Sequence, residues 1–293
     1  MRIAIYLSIL MLAIGCQSPK KNSDKPIVSV SIAPQKYFIE RLAGDAIEVN
    51  VMIPKGAEHA TYAPSASQIK KLDQSIAYFK MGHLGFEAAW NEKLKAANPT
   101  MKWYDLSEGI QVIQGGHHHH DHGHDHGHSC TCSAGADPHT WTSPVEVKHI
   151  MKNLKDHLSE LFPATKDVIA ANYESFISEL DAMDERLSTI QQKNDKLTFM
   201  IFHPAYTYLA RAYGFNQLTI EFEGKTPTPA RLKSTIEEAR ANKIKTIYIQ
   251  QEFDQSNAEI IAKEIGAKTV QVNPLSENWK QQMENFISQL EKQ

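Results

Sequence analysis

Ile27-Val-Ser-Val-Ser-Ile-Ala33-Pro34-Gln-Lys-Tyr37-Phe38-Ile39-Glu-Arg-Leu42-Ala-Gly44 is the stretch from which the fold follows. Apolar residues alternate from Ile27 to Ala33, the period of a half-buried strand. Pro34 then opens a helix that carries Tyr37, Phe38, Ile39 and Leu42 and stops at Gly44. The same unit recurs on both sides of the chain's centre. Strands are expected at Ile47–Ile53, Ser75–Phe79 and Met101–Leu106, with helices at Pro64–Leu72 and Phe86–Ala97 between them. After the centre come strands Leu197–Phe202, Gln217–Phe222, Lys245–Ile249 and Thr269–Val272, and helices Pro204–Tyr213, Thr228–Ala241, Ser256–Ile265 and Glu277–Leu290. Strands alternating with helices of about ten residues imply parallel sheets covered on both faces. The fold class is therefore α/β, in two lobes each with a parallel sheet flanked by helices.

Between the lobes the pattern changes to long helices. Pro144–Leu161 has apolar residues at helical spacing, and from Pro163 to about Gln192 a second run continues without Gly or Pro. That second helix would be roughly 45 Å long at 1.5 Å per residue, longer than either lobe needs. It lacks sustained heptads and reads as a spine joining the lobes rather than half a coiled coil. The expected division is an N-terminal lobe at 26–162, a linking helix at 163–194 and a C-terminal lobe at 195–293.

The chain opens with Arg2, an apolar run Ile3–Ile14 and Gly15-Cys16. This is too short to cross a bilayer and reads as a lipoprotein signal peptide over residues 1–16, with Cys16 as the lipidation site and residues 17–25 as a polar tether. The expected setting is exported, periplasmic or on the cell surface, with the membrane reached by a lipid anchor only. About 280 residues then remain, enough for two lobes. Net charge is −3 with the basic residues scattered, so nothing favours nucleic acid. The remaining cysteines, Cys130 and Cys132, do not make a disulfide-built protein; they are either a strained local bridge or two soft metal ligands.

Gly115–Cys132 reads GGHHHHDHGHDHGHSCTC and holds eight of the fourteen histidines: His117, His118, His119, His120, His122, His124, His126 and His128. Such a run cannot form a packed core, and its composition suits a transition metal. It interrupts a well-patterned chain, so it reads as a loop at 115–132 inserted beside a site. Three isolated histidines share another context. His59 lies between a strand and a helix, His139 just before the helix begun at Pro144, and His203 directly after the strand ending at Phe202. In open parallel sheets, ligands collect outside the carboxyl ends of strands, so the three point to one interlobe cleft. Three neutral imidazoles suit Zn²⁺ better than Mn²⁺, which prefers more carboxylate oxygen. Glu58, next to His59, is the nearest acidic fourth ligand in sequence.

On these residues the chain resembles the metal-binding solute receptors of the zinc/manganese ABC-importer class, the periplasmic zinc-binding branch in particular. The resemblance runs from Ile27 to Gln293. It rests on Gly56-Ala-Glu-His59 with Tyr62 and Pro64, Asp137-Pro-His-Thr-Trp-Thr-Ser-Pro144, Phe202-His-Pro-Ala-Tyr-Thr-Tyr-Leu209, Glu223-Gly-Lys-Thr-Pro-Thr-Pro229 and Gly266-Ala-Lys-Thr-Val-Gln-Val-Asn-Pro274. It implies His59, His139 and His203 as ligands, and delivery of zinc to a membrane permease. Many such receptors have a ligating aspartate where this chain has Asn273; an amide is a poor zinc ligand, which leaves water or Glu58 to complete the shell.

Other patterns carry less. His83, His149 and His157 read as surface or hydrogen-bonded residues. His117-x-His119-x-Asp121-His122 matches a metallo-β-lactamase signature, but so rich a run matches many patterns and no strand introduces it. Gly224-Lys225-Thr226 lacks the first glycine of a phosphate-binding loop, Thr219 standing in its place. The expectation is a monomeric zinc receptor and not an enzyme; a zinc hydrolase with the same three-histidine site, or a metal-binding surface adhesin, are the alternatives. Affinity should fall as pH drops through about 6.5, the ordinary histidine pKa. The spine should limit the lobes to small rigid-body tilts.

Overall fold

The structure is a computed structural model that describes residues 25–57, 61–114, 135–221, 228–253 and 255–293. The expected signal peptide, Cys16 and nearly all of the tether lie outside the described residues. The first lobe runs β1 (Ile27–Val30), α1 (Ala33–Ala43), β2 (Glu48–Val51), α2 (Ala66–Asp73), β3 (Ser75–Lys80), α3 (Gly85–Ala97) and β4 (Lys102–Asp105). A 3₁₀ turn, Thr140–Thr142, then leads into α4 (Pro144–Leu161), and a second, Pro163–Thr165, into α5 (Lys166–Lys193). The second lobe runs β5 (Thr198–Ile201), α6 (Thr207–Tyr213), β6 (Asn216–Thr219), α7 (Pro229–Ala241), β7 (Thr246–Gln250), α8 (Ser256–Ile265), β8 (Lys268–Val272) and α9 (Trp279–Leu290).

Each lobe carries a parallel sheet, in the orders β2-β1-β3-β4 and β6-β5-β7-β8. Chain order reverses beside β1 and again beside β5, which opens a crevice at the carboxyl ends of both sheets. Burial follows position. The inner strand β7 is buried along its whole length, and Val28 to Val30 of β1 are buried too. Continuous apolar runs in such strands are what two covered faces require.

Several boundaries differ from the sequence expectation for local reasons. Strands end earlier than the alternation does, because single hydrogen bonds such as Met52 N to Val30 O (2.9 Å) and Ile220 N to Ile201 O (3.1 Å) continue past the regular ladders. α2 begins at Ala66 instead of Pro64, since the Ser65 side chain caps it by accepting from the Gln68 N–H. α6 begins at Thr207 instead of Pro204, because the preceding residues form a turn closed by Ala205 N to His203 O (2.7 Å). The 3₁₀ turn at Thr140–Thr142 has no periodicity to announce it. α5 starts at Lys166, after Pro163–Thr165 have formed their own turn.

α5, with 28 residues, is about 42 Å long. Its buried stripe of Ile169, Phe176, Leu180, Met183, Leu187 and Ile190 packs on α1 and α4 on one side and reaches α6 and α9 on the other. One hydrophobic core therefore runs from Val28 and Phe79 through Phe176 and Leu180 to Phe199, Tyr248 and Phe286. A smaller cluster, including Met200, Leu218, Ile247 and Ile261, fills the other face of the second sheet. Among the described residues, no helix is long and apolar enough to cross a membrane.

Candidate metal centre

His139 follows the re-entry of the chain at Gly135 and sits at the start of the Thr140–Thr142 turn. The Asp137 carboxylate fixes it twice, accepting from the backbone N–H (2.9 Å) and lying 2.8 Å from ring Nδ1. Burial alone would raise the Asp137 carboxyl. The His139 imidazole, hydrogen bonds from His139 ring and backbone, and the Thr207 hydroxyl outweigh it and hold the group below the usual carboxylate range.

His203 leaves the end of β5 at the point where the order of the second sheet reverses. Gln250, fully buried at the end of neighbouring β7, clamps its backbone, donating Nε2 to His203 O (2.6 Å) and accepting from His203 N (3.1 Å). From the other neighbour, Glu221 just past β6 places Oε2 2.8 Å from His203 Nδ1. Phe253 stacks on the ring, with centroids 4.9 Å apart and planes at 21°. The His203 side chain is 20% exposed against 6% for His139, so the open side of the site is at His203.

These supports bring the two rings together, with His139 Nε2 3.3 Å from His203 Nε2. With each Nδ1–H directed to a carboxylate, both rings turn Nε2 lone pairs toward the same point. Two lone pairs so placed repel unless a proton or a metal cation lies between them. Nitrogens at Zn–N distances of ~2.0–2.1 Å and a tetrahedral angle are separated by about 3.3–3.4 Å, so the spacing is that of one tetrahedron edge.

The segments carrying the rings are also joined directly. Thr142 Oγ1 lies 2.8 Å from His139 O and 2.7 Å from Ala205 O. Trp141 Nε1 donates to Pro274 O (2.9 Å), and Trp279 Nε1 donates to Trp141 O (2.7 Å). Asn273 is engaged elsewhere, its Oδ1 accepting from the Leu275 N–H (3.1 Å) to close the turn after β8.

The model of the family described as "ZnuA: Zinc-uptake complex component A periplasmic" matches residues 28–293. The chain belongs to this zinc-uptake family. It is 31% identical over 304 residues to the zinc-binding lipoprotein AdcA of Streptococcus pneumoniae serotype 4, an alignment covering 99% of this chain and 59% of that protein. It thus spans under two thirds of that relative's length. Among solved structures, a crystal structure of ZnuA superposes with a TM-score of 0.81 at 33% identity, covering 92% of this chain and 99% of the other. A ZnuA deletion mutant with zinc bound gives 0.80 at 34% identity, covering 91% and 97%. The expected α/β fold in two lobes is the fold of these zinc-uptake proteins.

Within this family framework, the structure brings together two of the histidines singled out from sequence. His59, Glu58, the tract from His117 to His128, Cys130 and Cys132 lie outside the described residues. The flank of His59 is anchored: Ala57 and Tyr62 pack against the main core, and Tyr62 OH donates to Gln68 Oε1 (2.8 Å). Among the described residues, no three His, Cys, Asp or Glu side chains form a group that could hold a metal. His83 and His149 are exposed, and His157 stacks on Tyr104 at 4.2 Å. Sequence reasoning did not single out Glu221 or Gln250, and quoted Asp137 and Thr142 only as members of the Asp137–Pro144 motif, with no role of their own.

Proposed function

We propose that the chain is an exported zinc receptor that binds Zn²⁺ between its lobes and delivers it to the permease of an ABC importer. Its ligands are His139, His203 and His59, with Glu58 or water completing the shell. The observation that carries this reading is the 3.3 Å spacing of two Nε2 atoms, each ring oriented by its own carboxylate. Imidazole ligands favour zinc over manganese. Membership of the zinc-uptake family supports the cargo, the importer and the exported setting, with Cys16 as the lipid anchor. The histidine tract and Cys130/Cys132 act as an auxiliary, weaker metal-binding loop.

A hydrolase would need a general base beside the zinc-bound water. Among the described residues, the carboxylates next to the rings, Asp137 and Glu221, are directed to Nδ1 atoms, which favours binding over catalysis.

Elemental analysis of protein purified without added metal tests the proposal. One tight zinc is expected, lost in a His59/His139/His203 triple alanine variant and kept when residues 116–132 are deleted. Zinc retained by the triple variant would refute the ligand set. Hydrolytic turnover that disappears in His203→Ala would favour the enzyme instead.

A further inference from the structure

The ends of the histidine-rich insert are joined by a short neck. Asp137 N donates to Ile113 O (2.8 Å), and Gln114 and Ala136 form an isolated antiparallel bridge. Tyr208, on α6 of the other lobe, closes this neck. Its hydroxyl donates to Asp137 O (2.7 Å) and accepts from Ile113 N (3.2 Å), so one oxygen holds both sides. Arg211, one turn further along α6, packs 4.9 Å over the Tyr208 ring and donates to Gln111 O (2.7 Å).

We infer that Tyr208 is a positioning residue of the metal site, acting through the neck on Asp137 and thereby on His139. Asp137 is held at its N–H by Ile113, at its carbonyl by Tyr208, and at its carboxylate by His139 and the Thr207 hydroxyl. Without the phenol, the peptide plane after Asp137 loses its hydrogen bond to α6, and the carboxylate that sets the His139 tautomer keeps the Thr207 hydroxyl as its tie to that helix. Tyr208 is fully buried and its phenol is pushed up to about 12, chiefly by burial, so the donor proton stays in place at any physiological pH. α6 begins four residues after His203, so the helix that carries Tyr208 follows directly on the turn that carries the second ring. The inference rests on the reading of His139 as a zinc ligand.

Tyr208→Phe removes the hydroxyl and keeps the ring. Zinc affinity, read by chelator competition, is expected to fall by about 3- to 10-fold, less than for a group bonded directly to a ligand. Tyr213→Phe is the control, since it removes a hydrogen bond from the same helix to Asp184 (2.7 Å), away from the neck. Both variants should melt earlier, and only Tyr208→Phe should bind zinc more weakly. Unchanged affinity in Tyr208→Phe, or an equal loss in Tyr213→Phe, overturns the inference.

Should Tyr208→Phe fail to fold, hydrogen exchange of the wild-type protein decides. Coupling is reciprocal, so zinc should slow exchange of the Ile113 amide, and an amide indifferent to zinc overturns the proposal. Wild-type protein that binds no zinc would sink the receptor reading itself, whereas tight wild-type binding with a silent Tyr208→Phe would sink this inference alone.

Discussion

On the proposed ligand set, Asp137 and Glu221 decide which nitrogen His139 and His203 offer. A carboxylate on Nδ1–H leaves Nε2 for the metal and raises its basicity. Glu221→Gln keeps the length and one acceptor oxygen but removes the charge, so zinc binding should weaken by about 10-fold. Glu221→Ala leaves Nδ1 unheld and should cost up to about 100-fold. Chelator competition reads both, and equal affinity in all three proteins would mean that something else sets the tautomer. The rings themselves are legible in the sequence, because His139 stands shortly before Pro144 opens a helix and His203 directly follows the apolar run ending at Phe202. Their supports are not. Glu221 and Gln250 are 18 and 47 residues from His203 and meet it only because β6 and β7 flank β5, a pairing that no local spacing encodes.

The carboxyl end of the first sheet has its own buried acid, on α3. Glu87 Oε1 accepts from Met81 N (2.7 Å) and the Ser31 hydroxyl, and Oε2 accepts from Gly82 N (2.9 Å). It thereby joins the ends of β1 and β3, beside the Met81 sulfur that Thr140 approaches (3.6 Å). Gly82 is required in this turn: its φ is +89°, and a Cβ would stand 2.2 Å from Ser107 Oγ. Burial raises the Glu87 carboxyl to about 7, against the lowering pull of its hydrogen bonds. Because the folded state keeps this proton to higher pH than the unfolded chain, the contribution is fully present below about 4.5. It fades as pH rises, and is gone above about 7, a span on the order of 3 kcal/mol. The difference in unfolding free energy between wild type and Glu87→Gln, followed by urea denaturation, should therefore change between pH 4.5 and 7 and be flat above. A difference constant across that range would show that Glu87 ionises normally. Elements of this kind separate what sequence reveals from what it hides. α4 and α8 match their expected ends because Pro144 opens one and Gly266 stops the other. The Met81–Leu84 turn depends on a carboxylate that reads, in sequence, as an ordinary first-turn residue of a helix.

At the scale of the molecule, the question is how far the lobes can part. The spine α5 is continuous, and the core beneath it does not stop between the lobes. Trp279 of α9 packs edge-on against Phe38 of α1 (5.2 Å) and against Phe176 of α5 (6.0 Å), and its indole N–H bonds to Trp141 O. Wide opening would expose that indole and the Trp141 ring, each burying about 150–250 Å², which at about 25 cal/mol per Å² costs roughly 4–6 kcal/mol apiece. It would also break both indole hydrogen bonds and separate the Thr142 and Ala205 segments that carry the site. Zinc binding cannot readily offset such a cost and remain tight, so small tilts are favoured. Solution scattering of apo and zinc-loaded protein should therefore differ in radius of gyration by less than ~1 Å. Trp279→Ala supplies the complementary test. It should lower stability by about 3–5 kcal/mol and, by loosening the joint, widen the apo-to-zinc difference. A compaction of several ångströms in the wild type, already as large as in Trp279→Ala, would mean that the tryptophan pair does not lock the lobes and that the receptor closes on its ion by a hinge.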